Sequence, residues 1–340
     1  MTNPVTCFGE ILLRLSPPDR HLLVQASGFD LAVGGAEANV ASALASLGHD
    51  VRFAGLVSDN SLGDRALAAL RACGIDTGFV TRAPGRMGLY FLEAGSGPRP
   101  SAITYDRAGS AFTGAAPDAI DFAGALAGAR LLHCGGITPA LGAKGVALAK
   151  AAHGAARAAG VPICFDGNYR PQLWDAWDSD PHSILRELVA DATILIGNHR
   201  DIALLLGRDF SGWSEAGGEA RRREAAEAAF DAFPNLEMIA STARHLVTSD
   251  HHRIAARVDS RAGGYQTDAI DVTGIIDRIG TGDAFAAGVL DGWLTGGDLA
   301  VMAQRGLALA ALKHSIVGDM CPVSRSMLES FSAGAGDVRR

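Results

Sequence analysis

The run Asp277-Arg278-Ile279-Gly280-Thr281-Gly282-Asp283-Ala284-Phe285 leads straight into an apolar helical stretch, Ala286–Trp293. Glycines just ahead of a helix leave its first amide N–H groups uncovered, and those groups together with the helix dipole bind anions. An aspartate in that first turn is kept ionised by the same positive end. A carboxylate beside an amide cluster that holds phosphate is what activates a hydroxyl for phosphoryl transfer. Asp283 could also do no more than favour the helix start, as aspartates do at many helix N-termini.

Two further segments carry polar chemistry. Val33-Gly34-Gly35-Ala36-Glu37-Ala38-Asn39 offers two glycines for close backbone approach and an amide side chain, Asn39, with donors and an acceptor for hydroxyl groups. Phe165-Asp166-Gly167-Asn168-Tyr169-Arg170-Pro171 closes a buried strand, and ligands of open parallel sheets bind outside that end. The planar fork of Arg170 suits a carboxylate or a phosphate. Taken singly, the first segment is also an ordinary turn and the second an ordinary surface loop. Tyr90, Tyr105 and Arg107 fall where side chains could fold over a ligand; alternating tyrosines also pack, and Arg107 tilts the balance towards an anion.

Several other chemistries are missing. No GxxxxGK[ST] loop occurs, and the first strand continues as Phe8-Gly9-Glu10 rather than into GxGxxG, which counts against P-loop and Rossmann nucleotide sites. There is no HExxH, and adjacent His251-His252 lacks the spacing of a helical metal pair, so it reads as a polar strand edge. No GxSxG elbow is present.

The elements that must position these residues follow from periodicity. Strand-like runs at Val5–Gly9, Val51–Val57, Arg130–Cys134, Val161–Phe165 and Thr193–Ile196 are interleaved with helical runs at Glu37–Leu47, Leu62–Ala72 and Ala143–Ala159. That alternation predicts an α/β fold with a mostly parallel sheet covered on both faces. Arg20–Val33 and Met87–Arg107 break the rhythm as short β-ribbons and read either as a pair of surface hairpins or as a small lid, with lid segments about 10–33 and 87–110 inside one domain spanning 1–333. Glu215–Phe233 reads as a charged, solvated helix and 334–340 as a frayed tail.

The chain has 340 residues and a formal net charge of −7. Its length supports a sizeable core without staples, and its charge argues against a nucleic-acid partner. Cys7, Cys73, Cys134, Cys164 and Cys321 are odd in number and form no CxxC pair, which fits a reducing compartment. No run is apolar enough for a membrane span, and no signal-like segment opens the chain, so the cytoplasm is the expected setting.

Taken in order, Gly34-Gly35-Ala36-Glu37-Ala38-Asn39 resembles the N-terminal signature of the ribokinase-like (pfkB) carbohydrate kinases, and Gly280-Thr281-Gly282-Asp283 their C-terminal one. The likeness runs from Gly9 to about Asp319 and implies a ribokinase-like three-layer α/β/α fold with a β-sheet lid. Within the family, Tyr105–Ala111, Gly136–Leu141 and Asp166–Pro171 with Leu173-Trp174 are similar to the kinases of 2-keto-3-deoxygluconate. The resemblance implies ATP and Mg²⁺ as cofactors and a small sugar acid as substrate. It implies sugar contacts from Gly34, Gly35, Asn39, Tyr90, Tyr105, Arg107, Arg170 and Asp319. Asn168, Arg170, Asn198 and the Gly280, Thr281 and Gly282 amides would face the ATP phosphates, with Asp283 as general base.

Three departures from the family pattern stand out. Thr281 replaces the commoner alanine. The motif Asn-x-x-Glu appears as Asn198-His199-Arg200-Asp201, so the shorter Asp201 would serve the metal. The loop expected near the nucleotide reads Leu246-Val247-Thr248-Ser249-Asp250-His251-His252, without its glycine. A kinase for a neutral ketose and a non-catalytic sugar-acid-binding regulator are the alternatives, and an exposed lid would offer a surface for homo-oligomers.

Overall fold

The computed structural model describes residues 3–208 and 218–332. In chain order its strands are β1 (Val5–Phe8), β2 (Leu12–Ser16), β3 (Asp30–Gly34), β4 (Val51–Ser58), β5 (Asp76–Ala83), β6 (Gly88–Glu93) and β7 (Ala102–Asp106). They continue as β8 (Leu131–Gly135), β9 (Ile163–Asp166), β10 (Ile194–Ile196), β11 (Met238–Thr248), β12 (His251–Ser260), β13 (Gly263–Gln266) and β14 (Ile270–Thr273).

The central sheet is parallel in the order β11-β10-β9-β8-β1-β4-β5. At one edge β12 returns antiparallel to β11, and both β13 and β14 pair with β12. β1, β8 and β10 are buried at every position, as apolar strands covered on both faces must be. On one face lie helices Ala36–Ser46, Ser61–Ala72, Thr281–Leu294 and Leu299–Lys313, joined by a core that includes Leu44, Leu70, Phe285 and Leu309. On the other, helices Phe122–Leu126, Ala143–Ala159, Pro181–Val189, His199–Leu206 and Gly218–Ala232 close over Leu126, Leu148, Leu188, Leu205 and Phe230. The fold is therefore the expected three-layer α/β/α arrangement.

The lid is a separate four-stranded sheet in the order β3-β2-β6-β7, with β2 and β6 parallel and the outer pairs antiparallel. Its inner face buries Leu12, Tyr90 and Leu92, which pack with Ile103, Tyr105 and Ile279. Ile279 belongs to the turn before Gly280, so the lid rests directly on the approach to that loop.

Predicted elements and observed ones differ where burial is one-sided. Arg20–Val33 is mostly irregular, with single-turn 3-10 segments at Pro18–Arg20 and Leu23–Gln25, and only Asp30–Gly34 is strand. Prolines at 17 and 18 and positive φ at Asp19 and Arg20 prevent a continuous ribbon there. β5, β11 and β14 escaped notice because their exposed positions dilute the apolar pattern, and β12 because its buried face carries His252, Arg257 and Asp259 among the apolar residues. His252 corrects the reading of a polar edge: it is fully buried, and its Nδ1 lies 3.3 Å from His314 Nε2. Burial, aided by the charge of Arg244, pulls its pKa down to about 4.

The start of the charged helix at 215–217 and the tail at 334–340 lie outside the described residues. All five cysteines are free thiols. No helix among the described residues is long and apolar enough to cross a membrane.

Candidate active site

Gly280 caps the helix Thr281–Leu294 at φ +79°, a left-handed conformation that favours glycine, and no side chain caps the amides behind it. A Cβ at this position would strike the carbonyl oxygen of Asp319. The first helical bond to the cap is from Ala284 N–H to the Gly280 carbonyl at 2.9 Å. The preceding amides, at Thr281, Gly282 and Asp283, belong to the turn whose N–H groups have no carbonyl behind them and point out as an anion cradle.

Asp283 stands in that turn and accepts a 2.7 Å hydrogen bond from Asn39 Nδ2. Asn39 is brought there by helix Ala36–Ser46, whose cap Gly35 has φ +139° because the backbone passes against the Glu10 carbonyl. The two signatures seen far apart in sequence thus meet through one hydrogen bond. Asp283 keeps part of its surface open to the cleft, yet burial of the carboxylate raises its pKa to about 6. The Asn39 bond and the charge of Arg170 oppose that rise, and Asp319 adds to it.

The ends of β9 and β10 supply the next wall. Asp166, at the end of β9, has its pKa pushed well up by burial and by Asp283, Asp201 and Glu37. Arg170 is exposed and acts on Asp166, Asp201 and Asp283 together, while its Nη1 donates to the neighbouring Tyr169 carbonyl at 3.1 Å. Asn168 holds the turn before it at φ +38°. Asn198 caps helix His199–Leu206, with its Oδ1 accepting from Arg200 N–H, while Asp201 Oδ2 accepts from Asn198 N–H at 2.7 Å. Asp201 is therefore engaged as a capping-box acid and lies beside Gly167.

The lid adds a third wall. Tyr90, on β6, donates its hydroxyl to Asp319 and is nearly buried, with the Tyr105 ring centroid 6.2 Å away. Asp319 lies against Gly34, where any Cβ would collide with its carboxylate. Arg107 lies over Tyr105, but it is buried, and its Nε and Nη2 both donate to Glu10 Oε2, at 2.9 and 2.5 Å. The expected anion contact thus already has an acid partner, which Ser110 Oγ also binds at 2.6 Å.

Four groups were missed or left without a role in the sequence. Glu37 is buried between Gly9 and Gly135, and burial raises its pKa to about 7. It was visible only as part of the glycine motif. Arg244, past the middle of β11, feels the charges of Arg278 and Arg170, so these three basic side chains stand within electrostatic reach of one another. Arg14 is buried in β2 between two acids. An arginine within an apolar strand was the available signal for it.

An uncapped helix start, a half-buried carboxylate and a polar lid come together in an arrangement that suits a small-molecule kinase. The profile of the pfkB family carbohydrate kinases matches residues 2–323, and the chain belongs to that family. It is 32% identical to a 2-dehydro-3-deoxygalactonokinase of Haloferax volcanii over 99% of both chains. It is 28% identical to the 2-dehydro-3-deoxygluconokinase of Bacillus subtilis, over 98% of this chain and 96% of that one. Among solved structures, the 2-dehydro-3-deoxygluconokinase of Thermotoga maritima superposes with a TM-score of 0.91 at 34% identity, covering 98% of this chain and 99% of that one.

Proposed function

We propose that the protein transfers the γ-phosphoryl group of ATP to the terminal hydroxyl of 2-keto-3-deoxygluconate, giving 2-keto-3-deoxy-6-phosphogluconate and ADP. The observation that carries this reading is Asp283, held by Asn39 beside an uncapped helix start. Asp283 accepts the hydroxyl proton as the new O–P bond forms, and the bond to the ADP oxygen breaks in line. The Gly280–Gly282 amides hold the migrating phosphoryl oxygens, so charge is met by fixed dipoles rather than by reorganising water. Gly34, Gly35, Asn39, Tyr90, Tyr105 and Asp319 would hold the sugar, and Asn168, Arg170 and Asn198 would line the phosphate path. A carboxyl with a pKa near 6 is basic enough to take the proton and still ionised at neutral pH.

Mg²⁺ would supply charge neutralisation on the phosphates. Among the described residues no three His, Cys, Asp or Glu side chains converge into a metal cage. The crowded carboxyls of Asp166 and Asp201 still fit a cation that arrives with the nucleotide, reached through water.

Of the two arginines expected to meet a substrate anion, Arg107 is paired with Glu10, which leaves Arg170. Arg170→Ala should therefore lower kcat/KM for the keto-acid by about 10- to 100-fold, as loss of a charged hydrogen bond does. A coupled ADP-release assay on 2-keto-3-deoxygluconate, 2-keto-3-deoxygalactonate and fructose checks the substrate. A preference for fructose, insensitive to Arg170→Ala, would favour the neutral-ketose kinase, the reading that the Arg107–Glu10 pair supports. No turnover on any of them would favour a binding protein.

The outer lid leaves Phe29 45% and Leu31 39% exposed beside Val24 at 89%. Phe29 meets Phe91 edge-on at 5.8 Å, which makes a continuous apolar strip on that side of the sheet. A second copy of the chain is the occupant we assign to it. Leu31→Asp should shift light-scattering mass from dimer to monomer; a monomer before substitution would refute the pairing. The five free thiols support a reducing, cytoplasmic setting.

A further inference from the structure

Arg14 is a buried cation of the lid to which the roles above assign nothing. It lies in the middle of β2 at 4% exposure. Its Nη2 is 2.8 Å from Asp277 Oδ2, and its Nη1 is 3.2 Å from Asp319 Oδ1. Asp277 shapes the approach to the phosphate cradle: its Oδ1 accepts from Ile279 N–H at 2.9 Å and its Oδ2 from Gly318 N–H at 3.0 Å. Asp319 accepts from Tyr90 and presses against both Gly34 and Gly280. From the side of the lid, Arg14 therefore holds both supports of the loop that carries the cradle.

Stability alone does not call for a guanidinium here. A buried ion pair is often no better than apolar residues of the same shape, and Leu12 and Leu92 already pack on this face. The pairing is also incomplete. Arg14 Nε and Nη1 and Asp319 Oδ1 have no hydrogen-bond partner, although all are buried. Nη1 and Oδ1 stand 3.2 Å apart without a hydrogen bond between them, so the charge contact fixes where the Asp319 carboxylate sits without saturating it.

We propose that Arg14 is a positioning residue for the reaction, coupling the lid to the Asp277–Gly280 turn and presenting Asp319 to a hydroxyl of the acceptor sugar. This rests on the phosphoryl-transfer reading above, so the test includes a measurement that does not need turnover. Lys313 from helix Leu299–Lys313 is the other cation near Asp319, and it is held by the Ile316 carbonyl at 2.9 Å, which leaves Arg14 alone to reach from the lid.

Arg14→Met and Arg14→Lys are compared with the unaltered chain for kcat, both KM values and amide exchange without substrates. Arg14→Met should lower kcat/KM for the sugar by about 10- to 100-fold through both constants, with the ATP KM held within about twofold and partial recovery in Arg14→Lys. Exchange should quicken over 277–283. If Arg14→Met melts earlier yet keeps KM, kcat and the exchange rates of that segment, Arg14 serves the fold only and the proposal fails. If exchange quickens in a chain that phosphorylates no sugar even unaltered, the coupling stands and the kinase reading falls. Should Arg14→Met not fold, unaltered kinetics and exchange in Arg14→Lys overturn the proposal.

Discussion

Asp283→Asn should lower kcat by about 100- to 10,000-fold, the range a positioned general base contributes. Asn keeps the oxygen that Asn39 binds at 2.7 Å, so the site geometry survives while the proton acceptor is lost. The unaltered chain should show kcat/KM falling about tenfold per pH unit below a pKa near 6, because only the ionised carboxyl takes the proton. Stability runs the other way. A carboxyl whose folded pKa is raised above 3.8 contributes stability that is full below that value and lost as pH rises through about 6. At neutral pH, Asp283→Asn should therefore melt no lower than the unaltered chain; an active variant would remove Asp283 from the mechanism, and an unfolded one would contradict the stability argument. Calorimetry beside single-turnover assays reads both effects.

Gly282→Ala should abolish most activity in a fully folded protein. A Cβ there meets no protein atom within 4 Å, and the residue carries no positive φ, so nothing in the chain objects to it. Alanine is also the better helix former, which should leave the melting temperature level or slightly raised. The new methyl group instead enters the space above the amides, where the proposed phosphoryl oxygens must come within hydrogen-bond range. Loss of such oxyanion donors lowers kcat by about 100- to 1,000-fold. Gly280→Ala is the contrasting control: there the φ of +79° and the Asp319 carbonyl make the fold itself object, so stability and activity should fall together. Wild-type turnover in Gly282→Ala would mean that no anion occupies the cradle.

Much of the site was legible because its chemistry is local. The Gly280–Asp283 cradle is one helix start, and the glycines, the acid and the following apolar run sit side by side in sequence. Gly34, Gly35 and Asn39 were readable for the same reason. The alternation of buried strands with helices of ordinary length also prescribed a parallel sheet between two helical layers, since both faces of such strands need cover.

Partners that lie far apart in the chain were decided only by the tertiary structure. Arg107 looked available for an anion in sequence, but the fold brings Glu10, 97 positions away, to its Nε and Nη2. His252 looked polar and edge-like until β12 laid it against His314. Arg14 drew no sequence reading at all, because its partners Asp277 and Asp319 are more than 260 positions away and nothing local announces them. Residue type and spacing determined where an anion and a base could stand. Which charges are already spent, and which remain for a ligand, depends on desolvation and on distances of a few ångströms that only the folded chain sets.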